Sequence, residues 1–193
     1  MAVRDEVGEV GAAAAERVLD AAARLFAERG YQAVSMDELR AASGVALKRI
    51  YQLYPSKTAL IEAVLHARHE EWTRGVSAAV GSAGTPRDRL LAVYDFLEDW
   101  FGTDGYRGCA FINAFGELGA VSPHLAQLAR EHKESFQRYL AEVAAEAGAP
   151  PALAPQLALL AEGAQTTAAI AGSPEAARHA REAARVLIGA ALP

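Results

Sequence analysis

At 193 residues the chain can bury a substantial core, as one large domain or as a small and a medium one. Its hydrophobic fraction of 52% is rich in alanine, aromatics make up only 7%, and alternating strand-type segments are absent, which excludes sheet-based classes and leaves all-α. A net charge of -5 argues against a general polyanion binder, and the single cysteine, Cys109, excludes an intramolecular disulfide framework.

The opening residues mix Arg4 with Asp5, Glu6 and Glu9 and lack an apolar stretch, so they do not read as a signal peptide. No apolar run suits a bilayer, and the expectation is a soluble, cytoplasmic protein with no membrane partner. The first ten or so residues lack periodicity and are expected to form a flexible arm. From about Ala12 a helix is predicted to Arg29, with Val18, Ala21, Ala22, Leu25 and Arg29 at helical spacing, Phe26 widening the apolar stripe and Gly30 as its terminal cap. The run Ser35 to Glu38 (SMDE) is a capping box that starts a short helix carrying Leu39 and Ala42 inward, ended by Gly44. A second short helix holds Leu47, Ile50 and Tyr51 and stops before Pro55. Ser56 caps a long helix with Leu60, Ile61, Val64 and Leu65 buried.

Further helices are expected at about 87–101, with Thr85 as cap, at 109–119, and from Ser122 to near Ala147. "GTDGYRG" reads as an exposed connection between the first two of these. The last two helices, at about 152–171 and 174–191, are joined only by Gly172-Ser173 and must run antiparallel. In all about nine helices are expected, divided into a helix-turn-helix domain at 12–57 and a larger helical bundle at 58–193.

Two short helices about a glycine turn, with a third to pack on, have helix-turn-helix geometry, in which the second helix enters the DNA major groove. The charge placement agrees. From Gly30 to Lys57 four cations face two anions, whereas from Thr58 onward 11 cations face 16 anions. A locally basic surface on an acidic body points to phosphate contact. Leu47, Lys48, Arg49 and Gln52 are presented outward, Tyr51 and Tyr54 offer hydroxyls, and Ser56 and Lys57 stand at a helix N-terminus that attracts anions.

"SMDELRAASGVALKRIYQLYPSKTALIEAVL", preceded by "RVLDAAARLFAERGYQAV", resembles the DNA-binding domain of TetR/AcrR-type repressors over about Arg17 to Leu65. "YRGCAFINAFGEL" is similar to a segment found in one branch of that family. The resemblance implies a homodimer on double-stranded operator DNA, released by a small-molecule effector and needing no cofactor. It matches Tyr51 and Lys57 to phosphate contacts and brings Ser35 and Arg40 into the DNA-binding set. Several residues depart from the family pattern. Arg40 replaces a small residue, Ala46 a serine, Lys48 a glycine and Arg49 a threonine or serine, so long cations stand where short residues are usual.

The resemblance further implies an effector pocket among the central helices. Most aromatics fall there, and the candidate lining is Trp72, Tyr94, Trp100, Phe111, Phe115 and Phe136 with Asn113, Glu117, His132, Gln165 and Thr166 as polar groups. Each aromatic is as readily a core residue. His66, His69 and Glu70 share a helix face but match no metal motif, and no metal site is expected. Cys109 beside Arg107 invites a redox reading, against which a small buried hydrophobe is the simpler role. The terminal hairpin carries Leu157, Leu160, Ala164 and Ala168 on one helix and Ala180, Ala184, Leu187 and Ile188 on the other, a stripe expected to meet its twofold mate in a four-helix dimer interface. The alternative is a small helical enzyme acting on an apolar substrate, with Glu117 and His132 as its acid-base pair.

Overall fold

The computed structural model describes the backbone of residues 2–192 and the side chains of 11–192. Among the described residues the chain forms nine helices: α1 (Ala2–Arg29), α2 (Met36–Ser43), α3 (Leu47–Leu53), α4 (Lys57–Ser82), α5 (Pro86–Phe101), α6 (Ala110–Leu118), α7 (Pro123–Glu146), α8 (Leu153–Ala171) and α9 (Glu175–Ala191). The predicted caps hold their helices. Ser56, Thr85 and Ser122 accept from the amides of Ala59, Asp88 and Leu125, and Pro86 and Pro123 open α5 and α7.

Two hydrophobic clusters organise the bundle. The N-terminal one joins Val18, Ala22, Phe26, Leu39, Ile50, Leu60 and Leu65 from α1–α4 to Phe111, Ala114 and Leu125 from α6 and α7. The other surrounds α5, which packs against α4, α7, α8 and α9. α4 serves both: its first turns enter the N-terminal cluster, and Trp72, Val76 and Val80 enter the second. The boundary expected at 57/58 therefore falls at the start of one continuous rod that is packed at both ends.

Three expectations are corrected. The N-terminal segment is not an arm, because α1 begins at Ala2. Its alanines and glutamates favour helix without needing an apolar stripe. Within α2 it is Ser43, not Ala42, that is buried with Leu39, and its hydroxyl accepts from the Val45 amide across the turn. Most of the terminal-hairpin stripe is internal. Leu157, Ala164, Ala168, Ala180, Ala184 and Ile188 are buried inside the chain's own second cluster, with Leu160 and Leu187 packed against it. α5 lies across that face of the hairpin, a neighbour that the periodicity of α8 and α9 alone does not reveal. The apolar residues left on the outside are Leu159, Ile170 and Val186, at 69%, 83% and 61% exposure.

Candidate nucleic-acid interface and aromatic cavity

The helix-turn-helix is built from strong local signals. Ser35 and Glu38 close a full capping box, with Ser35 N–H donating to Glu38 Oε2 at 2.8 Å and Glu38 N–H to Ser35 Oγ at 3.3 Å. The Ser35 hydroxyl also donates to Glu38 Oε2 at 2.8 Å. Arg29 grips the other carboxylate oxygen at 2.6 Å. The Ser35 bonds, then Arg29, hold the Glu38 carboxyl down at about 2. Gly44, at φ 66°, takes the left-handed conformation that ends α2 and permits the turn.

α3 is anchored by fully buried Ile50 and turns Lys48, Arg49, Tyr51 and Gln52 to solvent, with Tyr51 44% exposed. Arg49 Nη1 donates to Gln52 Oε1 at 3.2 Å, so the two act as one polar unit. Leu47 is half-buried at the helix start, and exposed Arg40 pairs loosely with Asp37 at 3.4 Å. The remaining predicted DNA-facing groups have partners within the protein. The Ser35 hydroxyl is engaged in its cap, and Ser56 Oγ accepts from Ala59 at 3.0 Å. Tyr54 is half-buried with its hydroxyl on the Ala15 carbonyl at 3.4 Å, so it braces α3 against α1 instead of facing outward. Lys57 Nζ donates to the Gln32 carbonyl at 3.0 Å. Partial burial lowers its pKa, while Glu117 and Glu38 draw it back up.

Beyond α1, a cavity of about 460 Å³ opens between α1, α4, α5, α6, α7 and the loop before α6. Trp72, Trp100, Phe111, Asn113, His132 and Gln165 of the predicted lining do meet there. Five others do not. Tyr94 is locked in the second cluster by its hydroxyl on the Leu157 carbonyl at 2.8 Å, and Phe136 packs behind Trp72 with ring centroids 5.4 Å apart. Phe115 is 51% exposed on the outer side of α6. Thr166 is exposed and bonds back to the Glu162 carbonyl. Glu117 is taken by the backbone amides of Tyr31 and Gln32 at 3.1 and 3.0 Å.

The supposed acid-base pair is thereby dissolved. His132 Nδ1 lies 2.9 Å from His69 Nδ1, and its ring stacks on Phe111 at 3.8 Å. Burial first, then Lys133 and His69, depress the His132 pKa to about 3, which keeps the ring neutral. Of the helix face weighed for a metal, His69 thus faces His132, and Glu70 pairs with Arg74 at 3.6 Å.

Sequence reasoning missed several cavity residues. Tyr106 sits in the glycine-rich connection, yet its hydroxyl donates to the Gln165 carbonyl at 2.9 Å and its ring meets Trp100 at 5.1 Å, folding the loop over the cavity. A lone aromatic between loop glycines was the available signal. Phe26, Tyr31 and Arg68 also line the space; Phe26 reads as helix core, and no local pattern distinguishes the other two. Cys109 is buried and lines the same wall, its thiol free.

A helix-turn-helix head with a cationic second helix, fused to a helical body holding an aromatic cavity, defines a class of small two-part regulators. The model of the tetR family of bacterial regulatory proteins matches residues 18–64. The chain is 36% identical over 95 residues to the transcriptional activator FasR of Mycolicibacterium smegmatis, covering 47% of this chain and 42% of that one. It is 32% identical over 75 residues to the transcriptional repressor KstR of the same species, covering 39% and 37%. The matched stretches thus span less than half the length of these curated relatives. A TetR-family transcriptional regulator from Streptomyces coelicolor superposes along nearly the whole chain, with a TM-score of 0.88, 25% identity, and 94% and 97% of the two chains covered. Residues 18–64 thus match the TetR family's N-terminal domain, the chain along nearly its whole length is similar to a TetR-family regulator, and its named relatives are regulators of transcription, not enzymes. No helix among the described residues is long and apolar enough to cross a membrane.

Proposed function

We propose that the chain is a dimeric, ligand-responsive transcriptional regulator that acts in the cytoplasm, a repressor released from a palindromic operator when a small, largely apolar effector fills the cavity. The observation that carries this reading is α3, which Ile50 pins to the core so that Lys48, Arg49, Tyr51 and Gln52 face solvent together. Lys48 and Tyr51 contact phosphates, and Arg49 with Gln52 reads base edges. Lys57 joins the phosphate contacts once it leaves the Gln32 carbonyl. Arg40 lies at the margin of the same surface.

The outer face of the α8–α9 hairpin, with Leu159, Ile170 and Val186, supplies the twofold interface. The buried stripe stiffens each hairpin from within. The effector changes the spacing of the two heads through the elements shared by cavity and head. α4 carries Trp72 and begins at Lys57, and α6 carries Phe111 and ends near Glu117. A ligand shifts this equilibrium only by its different affinity for the two spacings. Selection of bound sites from a random DNA pool tests the proposal. An enriched palindrome with half-sites about one helical turn apart supports it, and a pool that shows no enrichment defeats it.

A further inference from the structure

The cavity's chemistry goes beyond a merely apolar effector, and the inference rests on the ligand-responsive reading above. Its walls are aromatic: Trp72 meets Trp100 at 5.0 Å, and Trp100 meets Tyr106 at 5.1 Å, both near edge-on. Its charged residues lie toward solvent. Arg68 is held by Glu71 at 2.6 Å, and Asp104 and Arg107, opposite in sign, lie exposed in the covering loop. The close Nδ1–Nδ1 approach of His132 and His69 requires at least one neutral imidazole, because two imidazolium rings offer no acceptor.

An ion entering the buried part of this space would leave water with no buried charge to face it, since Arg68 is held by Glu71 and Asp104 and Arg107 stay exposed, a cost that a neutral molecule avoids. A flat ring gains edge and face contacts from the same walls. A buried polar side chain is available to orient such a ligand. Gln165 lines the cavity at 2% exposure, its backbone carbonyl is taken by Tyr106, and among the described residues its side-chain amide has no protein partner.

We propose that the cavity selects an uncharged aromatic compound bearing one hydrogen-bonding group, its ring against Trp72, Trp100 and Tyr106 and its polar group on the Gln165 amide. The chain has only two tryptophans, Trp72 and Trp100, and both line the cavity, so ligand entry reports directly in intrinsic fluorescence.

The test is calorimetric titration of the full chain at neutral pH with three probes of one shape, 2-naphthol, 2-naphthoate and 2-naphthyltrimethylammonium, with tryptophan quenching read in parallel. The expected result is 2-naphthol binding at least about tenfold tighter than either ion and quenching both tryptophans. Gln165→Leu should weaken 2-naphthol about five- to tenfold and leave 2-methylnaphthalene unchanged. Gln165→Glu, which keeps the shape if the leucine variant misfolds, should move the preference toward the ammonium probe. Either ion binding as tightly as 2-naphthol, or no binding by any probe, overturns the ligand class. If 2-naphthol binds with this selectivity but leaves affinity for the selected DNA unchanged, the ligand class stands and the ligand-responsive reading fails.

Discussion

Glu117 and Gln32 hold one another twice: the Gln32 backbone amide donates to Glu117 Oε2 at 3.0 Å, and Gln32 Nε2 donates to the Glu117 carbonyl at 2.7 Å. With the Tyr31 amide on Glu117 Oε1 at 3.1 Å, the end of α6 is clamped to the turn that leads from α1 into the helix-turn-helix. Tyr31 closes the loop, since its hydroxyl donates to the Ala110 carbonyl at the start of α6. α6 is therefore tied at both ends to the turn before α2 while its first turn lines the cavity.

The clamp gives the first prediction. Glu117→Ala should lower unfolding free energy by about 1–3 kcal/mol, because two backbone amides lose a charged acceptor. Gly30, at φ 85°, leaves room for this carboxylate, and a Cβ there would come within 2.8 Å of Glu117 Oε1. Gly30→Ala should cost about 1–2 kcal/mol from the backbone conformation alone, with more from the displaced carboxylate. Denaturant titrations of both variants check this; a Gly30→Ala protein as stable as wild type would remove the clamp from the account.

Affinity for operator DNA should fall steeply with salt, because each protomer brings several cations to phosphates and displaces counterions. Anisotropy titrations across a salt series measure the slope. Lys48→Ala takes one cation away from a phosphate and should reduce the slope by about one, and Tyr51→Phe should weaken all DNA sequences by a similar factor. A flat salt response would remove the backbone contacts from the proposed surface.

Arg49 and Gln52 should read bases. Their mutual bond at 3.2 Å fixes the guanidinium at the exposed face of α3. Arg49→Ala should relax preference at one base pair per half-site by about 1–3 kcal/mol, whereas Lys48→Ala should lower affinity with the profile's shape kept. Binding to every single-base operator variant decides it. A profile altered by Lys48→Ala and not by Arg49→Ala would reverse the two roles.

The dimer prediction follows the corrected face. Val186→Asp or Ile170→Asp, both on the exposed side of the hairpin, should give folded monomers with weakened operator binding. Leu187→Asp, where the residue packs against the second cluster, should chiefly destabilise the fold. Sedimentation together with circular dichroism separates these outcomes. A Val186→Asp protein that is still fully dimeric at micromolar concentration would displace the interface from this face.

Stability should decline on mild acidification. His132 titrates near 3 in the folded chain against an ordinary 6.5, through burial first and then Lys133 and His69. Between these values the unfolded chain takes up a proton that the folded chain refuses. Unfolding free energy therefore falls as pH drops below 6.5, by up to about 1.4 kcal/mol per pH unit. Glu38 adds a loss of the same sign further down, its stabilisation vanishing as pH falls from 4.5 toward about 2. His132→Phe should flatten the profile between pH 6.5 and 4.5 and leave the lower limb in place. Denaturant midpoints across this range test it.

The sequence by itself determined most of the helices of this protein and the exposed face of α3. Caps, breakers and glycine turns act over three or four residues, so Ser35-Glu38, Gly44, Pro55 and Ser56 fix the helix-turn-helix locally. The outward face of α3 follows once Ile50 is assigned inward. What only the tertiary structure decided is which side of each apolar helix meets which neighbour. The stripe on α8 and α9 is equally suited to a second copy or to α5, and the chain's own α5 covers it. Glu117 was as plausible a pocket acid as His132 until the turn after α1, 85 residues away along the chain, presented it with two free amides. Tyr106 became a cavity wall because its hydroxyl found a carbonyl 59 residues on. Hydrogen bonds and packing across such separations leave no periodic trace in the sequence. The helices were legible residue by residue, and the cavity was decided by their assembly.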